Sequence, residues 1–395
     1  MLAWANSTLH SLAATPPLEG ALAALAGTPL VQEVAVRIVG NQDVSPVTLL
    51  TIILSLVFLY LVFFLFVPKV RLATWSVWYF LASSDKKTRK PDDVNVNYSS
   101  PSCKRMKVVF IRHGESEWNA VFNKGSKLTL PIRLVRALVK EALMLFDQDS
   151  LFIDSPLSAV GIQQSWDLLT FLAAQKAGCL TQGAASRPAA ELDVPDLVSI
   201  IRGDVGEGVV VSSILRRAIS TGMLCLSPRL LKTSSQKDKI ALMSSLQEIS
   251  RNIDTLVLTP ARKAPQVPAA EAAMRNMGDL MGHFYRTRLD VRWNEGNKTL
   301  KKKAIKRQEQ FVNWIFDQKD GVDCVVVCGH SLWFREFFKS YMPKASVHAA
   351  KTSKMVNCGC VAFDLYKDSQ VLRINPDSIK TVYGGFEVKG KQKKA

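Results

Sequence analysis

Hydrophobic positions along this chain change their rhythm twice. Residues 1–46 are rich in Ala and Leu but broken at Pro16, Pro17, Gly27, Pro29 and Pro46, which predicts one or two short helices and nothing longer. From 47 to 67 the apolar side chains become continuous, and only Thr48, Thr51, Ser55 and Tyr60 interrupt them. A core helix of a soluble domain keeps a polar face over such a length, and this one has none. At about 1.5 Å of rise per residue the stretch covers about 30 Å, so a transmembrane helix is predicted over 47–67.

Residues 68–105 are mixed. Trp75, Trp78, Tyr79 and Phe80 follow Lys69 and Arg71 closely, which suits a headgroup layer or a short packed helix, and the polar remainder, with Pro91 and Pro101, reads as a juxtamembrane tether. From 106 the second change comes, to short apolar runs alternating with helical periodicity. Segments 107–112, 209–213 and 324–328 are apolar strands that each lead into a helical pattern, and 361–365 and 371–373 are further strands. Strands with polar residues at their C-terminal ends predict an open sheet with a site along that edge. The expected fold is therefore α/β: a three-layer sandwich with a central, mostly parallel sheet over 106–380, preceded by the one transmembrane helix and followed by a basic tail, 381–395.

Charge orients this picture. The net charge is +17, yet residues 1–67 hold only Arg37 against Glu19, Glu33 and Asp43. Lys69, Arg71, Lys86, Lys87, Arg89 and Lys90 crowd the C-terminal side of the span, so the positive-inside bias places the body in the cytosol and residues 1–46 in the lumen or outside. A cleaved signal peptide fits less well: the apolar run starts late, lacks a basic segment before it and is followed by Pro68 rather than small residues. All seven cysteines lie beyond the span, an odd number that predicts reduced thiols. Cys324, Cys328, Cys358 and Cys360 sit in strand-like apolar surroundings and are expected to be buried fillers rather than metal ligands. A basic chain suggests nucleic acid in general, but no recognition motif for it is present. The densest basic run, Lys298, Lys301, Lys302, Lys303, Lys306 and Arg307, reads as a solvated helix face. In a tethered body it has a second reading, contact with an acidic leaflet, at on the order of 1 kcal/mol per residue.

Arg112, His113, Gly114, Glu115, Ser116, Glu117, Trp118 and Asn119 follow the first strand directly. They put an imidazole beside a guanidinium at a strand end, with a glycine that lets the backbone approach a ligand. The octet resembles the signature of the histidine phosphatase superfamily, in its phosphoglycerate mutase-like branch. The resemblance continues in order. Asp154, Ser155, Pro156 and Leu157, then Gly161 and Gln163, resemble the family's segment entering its first helix. Ser212, Ser213, Ile214, Leu215, Arg216, Arg217 and Ala218, with Thr221, resemble the segment supplying a second phosphate-binding arginine, by register Arg217 rather than Arg216. Gly329, His330 and Ser331, with Arg335 behind them, resemble the second histidine motif.

The resemblance implies that His113 attacks phosphorus and forms a phosphohistidine, while Arg112, Arg217 and His330 hold the equatorial oxygens. Ser116 and Asn119 are implied as further phosphate contacts. Glu248 stands in the place of the family's proton donor, with Asp254 and Glu115 as alternatives. Neither metal nor other cofactor is called for. His10, His283 and His348 lack such context and are expected to be ordinary surface or core histidines.

Two departures bear on the reaction. Residues 124–150 form an insertion with Pro131 at a helix start, Arg133, Arg136 and Lys140 on one face and Leu134, Leu138 and Leu145 on another. A lid, a helix lying on anionic lipid and a packed helix with a solvated face are the three readings. After Glu248 the chain lacks the basic run that holds phosphoglycerate in mutases of this family. Hydrolysis of a phosphomonoester is therefore the expected reaction, with a mutase-like phosphotransferase and a non-catalytic phosphate-binding module as alternatives. The insertions 124–150 and 176–207 are where substrate choice is expected to lie. If the body were lumenal instead, Asn97 and Asn297 would be glycosylation acceptors.

Overall fold

The computed structural model describes residues 46–86, 88, 98, 103–175, 186–232, 238–274, 277–318, 321–368 and 371–387. The expectations for residues 1–45, for Cys179, for Asn97 and for 388–395 lie outside these. Two compact units divide the chain, 1–71 and 72–395. In the first, the uninterrupted apolar run forms one helix, Pro46–Phe66. Its segment Val47–Phe66 is 20 residues long with a mean hydropathy of 2.9, long and apolar enough to cross a membrane.

The second unit is built on one eight-stranded sheet: β1 (Lys104–Arg112), β2 (Gly208–Ser213), β3 (Ile240–Met243), β4 (Leu289–Asp290), β5 (Cys324–Gly329), β6 (Cys360–Asp368), β7 (Val371–Ile374) and β8 (Lys380–Tyr383). Their order is β4-β3-β2-β5-β1-β6-β7, and β8 also pairs with β6. The pairs from β4 to β1 are parallel, and β6 pairs antiparallel with β1, β7 and β8. The sheet is therefore mixed where a mostly parallel one was expected. The parallel part ends at β1: β6 returns antiparallel to it, and β7 and β8 both pair antiparallel with β6, β7 along residues 365–368 and β8 along 360–362.

Alternate residues of each central strand face opposite cores. Val109, Ile111, Val210, Val326 and Ala362 join one side, together with Leu168, Leu172 and Phe284 from helices. Val108, Phe110, Val211, Val325, Val327 and Phe363 join the other, with Phe311, Ile315, Trp333 and Phe337. Burial on both faces is why these strands read as continuous apolar runs. Phe110 lies at the centre, stacked on Phe334 at 4.0 Å between ring centroids. Cys324, Cys328, Cys358 and Cys360 are buried in the first core.

Three expectations change here. Residues Pro68–Ala82 form a helix, one of the two readings given for the segment of Trp75 to Phe80, but in the polar remainder read as a tether Asp85 is fully buried. The basic run is not one solvated face. Lys298 and Arg307 are buried, because Arg307 shares a face of the helix Ala304–Phe316 with Phe311 and Trp314, while Lys301 and Lys306 point outward. The insertion forms the helix Leu130–Leu143, but Leu138 is exposed and Arg133 turns inward to donate to the Val121 carbonyl at 3.1 Å.

Candidate functional site

The parallel strands β1, β2 and β5 end at one edge, and their next residues meet there. β1 delivers His113, whose N–H donates to the Gly329 carbonyl of β5 at 2.9 Å. β5 delivers His330, and the two imidazole centroids are 5.0 Å apart. β2 ends at Ser213, whose hydroxyl lies 2.8 Å from His330 Nε2, and the helix Arg216–Cys225 begins just after it. Gly114 has a packing reason beyond ligand approach: a Cβ there would stand 2.5 Å from the Gly161 carbonyl oxygen. Its N–H donates to Thr221 Oγ1 at 3.0 Å, which ties the first histidine motif to the Arg217 helix.

His113 is buried, and its Nδ1 lies 2.6 Å from the Gly114 carbonyl. A carbonyl only accepts, so Nδ1 carries the proton and Nε2 keeps its lone pair. Burial, with the Arg217 and Arg112 guanidinium groups nearby, holds the His113 pKa well below its ordinary 6.5, so the ring is neutral near pH 7. Burial and Arg217 act likewise on His330.

The two adjacent arginines have separate tasks. Arg216 is spent on structure: its guanidinium reaches Asp149 Oδ1 at 2.5 Å and the carbonyls of Ser150 and Asp154 at 3.0 Å. Arg217 donates to the Asp254 carbonyl at 2.8 Å and pairs with its carboxylate at 3.3 Å. Arg112 bonds the Met355 carbonyl and pairs with Glu387 at 3.2 Å. After these bonds three buried nitrogens of the site still have no hydrogen-bond partner among the described residues: Arg112 Nε, Arg217 Nε and His330 Nδ1. Buried polar atoms are rarely left so, and three on facing cationic or imidazole groups suit an anion with several oxygens.

Glu248 lies in the loop after β3, within electrostatic reach of Arg217 and Arg112. Its carboxylate accepts from the N–H groups of Ile249 and Trp333, each at 2.9 Å, and of Leu332 at 3.3 Å, the last two in the first turn of the helix Ser331–Tyr341. Burial raises its pKa above the ordinary 4.5, against the opposing pull of Arg217 and those N–H groups. Of the two alternative donors, Glu115 pairs with Lys124 and accepts from Ser158 at 3.1 Å. Asp254 pairs with Arg217 through one oxygen, its other oxygen has no hydrogen-bond partner among the described residues, and burial raises its pKa too, against the pull of Arg217.

Ser116 caps the helix Glu117–Phe122 by accepting from the Asn119 N–H at 3.3 Å, while the Asn119 side chain accepts from Asn123 at 2.7 Å. Neither side chain is hydrogen-bonded to another site residue among the described ones. In the segment entering the next helix, Gln164 rather than Gln163 reaches the motif: it accepts from the Glu115 N–H at 2.9 Å, whereas Gln163 bonds Asp167 on the surface. The spacing of three residues after Gly161 was the signal for Gln164.

Sequence reasoning missed the support behind Glu248. Asp85 Oδ2 pairs with Lys298 at 3.0 Å, and Asp85 Oδ1 accepts from Arg307. Lys298 in turn donates to the Glu248 and Ser250 carbonyls, each at 2.8 Å, and Arg307 to the Ser245 carbonyl at 3.2 Å and to that of Gln247. Lys298 also lies over the Tyr79 ring, and Arg251 donates to the carbonyls of Phe80 at 3.1 Å and Ser83 at 2.6 Å. Residues 79–85 are thus fastened to the loop that carries Glu248. The position of Arg307 four and seven residues before Phe311 and Trp314 was a usable sign of its burial; nothing local marked Asp85.

The solved structures to which this chain is similar include phosphatases and a mutase. A mycobacterial glucosyl-3-phosphoglycerate phosphatase shares 15% identity over 69% of this chain and 98% of its own, with a TM-score of 0.32. A phosphoserine phosphatase from Entamoeba histolytica, solved with phosphoserine, shares 14% over 69% and 98%, with a TM-score of 0.27. A phosphoglycerate mutase from Bacillus anthracis shares 15% over 69% and 93%, with a TM-score of 0.31. No family model and no curated protein matches the chain. The chemistry of the site is therefore read from its own residues.

Proposed function

We propose that the protein is a membrane-anchored histidine phosphatase that hydrolyses a phosphomonoester through a phosphohistidine on His113. The observation that carries this reading is the set of three unpartnered buried nitrogens, on Arg112, Arg217 and His330, around an imidazole whose Nε2 is unprotonated. Three donors on fixed groups match the three equatorial oxygens of a phosphoryl group in transfer. In the first step the Nε2 lone pair of His113 bonds to phosphorus, the bond from phosphorus to the ester oxygen breaks, and Glu248 gives its proton to that oxygen. In the second, the Glu248 carboxylate takes a proton from water, the hydroxyl oxygen bonds to phosphorus, and the N–P bond breaks to restore neutral His113. A buried carboxyl with a raised pKa suits both halves.

The helix Pro46–Phe66 is the proposed anchor, and the basic residues Lys69, Arg71 and Lys86 after it favour a cytosolic body. Engagement of the Asn297 side chain with both backbone groups of Val257, at 2.7 and 2.9 Å, agrees with an asparagine that carries no glycan. The test uses the full chain in detergent, because residues 79–85 pack into the body. Wild type should hydrolyse an aryl phosphate in the presence of chelator and trap acid-labile label on His113. His113→Ala should lose turnover by about a thousandfold or more. Equal turnover in wild type and His113→Ala would refute the mechanism.

A further inference from the structure

The helix Leu130–Leu143 is apolar on more than the side it packs with. Ala137 is buried and Leu130 and Leu134 are half-buried against the body, and polar side chains fasten it as well: Arg133 donates to the Val121 carbonyl at 3.1 Å, and Glu141 accepts from Ser150 Oγ and from the Leu151 N–H, each at 2.7 Å. Its outward side carries Leu128, Ile132, Val135, Val139, Leu143 and Phe146, which are from 55% to 89% exposed. Their spacing of four, three, four, four and three residues lays them along one stripe. A helix that only packed on the domain would need its inward apolar residues and no second apolar stripe in water. A contiguous apolar stripe of this length on a soluble surface marks an interaction site.

We infer that this stripe docks on the surface of an anionic lipid bilayer. Charge decides the occupant. Arg136 and Lys140 are exposed along one flank and Lys127 at the N-terminal end, with Asp147 at the far end the one exposed acid among residues 127–147. A second copy of the chain would bring these bases, and a net charge of +17, against themselves. An anionic leaflet accepts both the apolar stripe and its basic flank, the composition of a helix that lies in the membrane interface. The helix is tied through its inner side to the segment before Arg217, since Glu141 holds 150–151 and the preceding Asp149 pairs with Arg216. The docking does not depend on the phosphatase reading, since a chain without turnover would bind the same surface.

The test is amide exchange of residues 128–146 in the full chain, held in nanodiscs of phosphatidylcholine alone or mixed with phosphatidylserine. These amides should exchange about tenfold more slowly in the mixed discs. Val139→Asp with Leu143→Asp should abolish the protection, and Arg136→Glu with Lys140→Glu should remove its dependence on phosphatidylserine. Both pairs should leave aryl phosphate hydrolysis in detergent unchanged, which shows that the body is folded. Equal exchange in the two kinds of disc would overturn the inference, as would protection that appears only where two chains share a disc.

Discussion

One side of the site is made from the ends of strands, and the other is a loop held from a distance. His113, Ser213 and His330 each follow a strand of the parallel part of the sheet, so the same hydrophobic runs that form the core also fix these residues. Glu248 and Asp254 lie after β3 in the stretch 244–268, whose regular structure is two short 3-10 turns, Ser244–Leu246 and Ile253–Thr255. The carbonyls of 245, 247, 248 and 250 are held instead by Arg307 and Lys298, and those two cations are balanced by Asp85. The strand-end side is fixed by the sheet, and the loop side rests on one buried ion cluster.

If the two sides divide the labour in this way, removing the proton donor should cost catalysis while leaving phosphate binding in place. Glu248→Gln is expected to lower kcat by about a hundredfold on an alkyl phosphate, with little change in KM. The loss should shrink on an aryl phosphate, whose leaving oxygen needs less help. The pH profile gives an independent reading. His113 is held neutral by burial and two guanidinium groups, so loss of activity from its protonation should appear only well below pH 6.5. Glu248 acts as an acid in the first step, so kcat/KM should fall as pH rises through its raised pKa, above 4.5. Ionisation of the substrate, near pH 6, is common to both proteins and cancels in the ratio of wild type to Glu248→Gln. A ratio independent of pH would remove Glu248 from the proton transfer.

A smaller but more diagnostic loss should follow from Asp85, which touches no site residue. Asp85→Asn leaves Lys298 and Arg307 buried beside each other without a counter-charge, a change that costs about 3–5 kcal/mol when a buried pair is broken. In the wild type, burial would raise the Asp85 carboxyl, but Lys298 and Arg307 outweigh it and hold the pKa below the ordinary 3.8. A depressed carboxyl contributes stability above its unfolded pKa and loses it as pH falls through the folded one. The stability gap between wild type and Asp85→Asn should therefore be full at neutral pH and close below about pH 4. Measured where both proteins are folded, kcat should fall about tenfold as the Glu248 loop loosens, at constant KM and with recovery in Asp85→Glu. A rise in KM with kcat unchanged would place the effect on the phosphate side and break the comparison.

What the sequence disclosed follows the same division. Strand ends were legible because a run such as 107–112 announces both its strand and the residue it delivers, and because Arg112, His113 and Gly114 stand together in the chain. The helix Pro46–Phe66 was legible for the simplest reason, continuous apolar length. The Glu248 support was not, since Asp85 meets Lys298 and Arg307 across more than 200 residues, and only Arg307, by its spacing from Phe311 and Trp314, carried a local sign of burial. The outward apolar face of Leu130–Leu143 was hidden differently. The periodicity of a helix shows that it has an apolar face, but not which way that face is turned, and here polar anchors such as Arg133 and Glu141 turned it to solvent.

The smallest expected effect separates two neighbouring glutamines and sharpens the account of the strand-end side. Gln164 accepts from the Glu115 N–H, directly beside Gly114, while Gln163 bonds Asp167 in water. Gln164→Ala leaves that part-buried N–H without its acceptor, which costs about 1 kcal/mol. Gln163→Ala removes only a surface contact and should change stability by less than about 0.5 kcal/mol. Denaturant unfolding of the two variants at pH 7 checks both values. Because Gly114 and Glu115 are also held by Thr221 and by the close approach of Gly161, turnover should stay near wild type in each. A large loss of turnover in Gln164→Ala would mean that the backbone beside His113 depends on this single bond, and that the strand ends hold their side of the site less firmly than the sheet suggests.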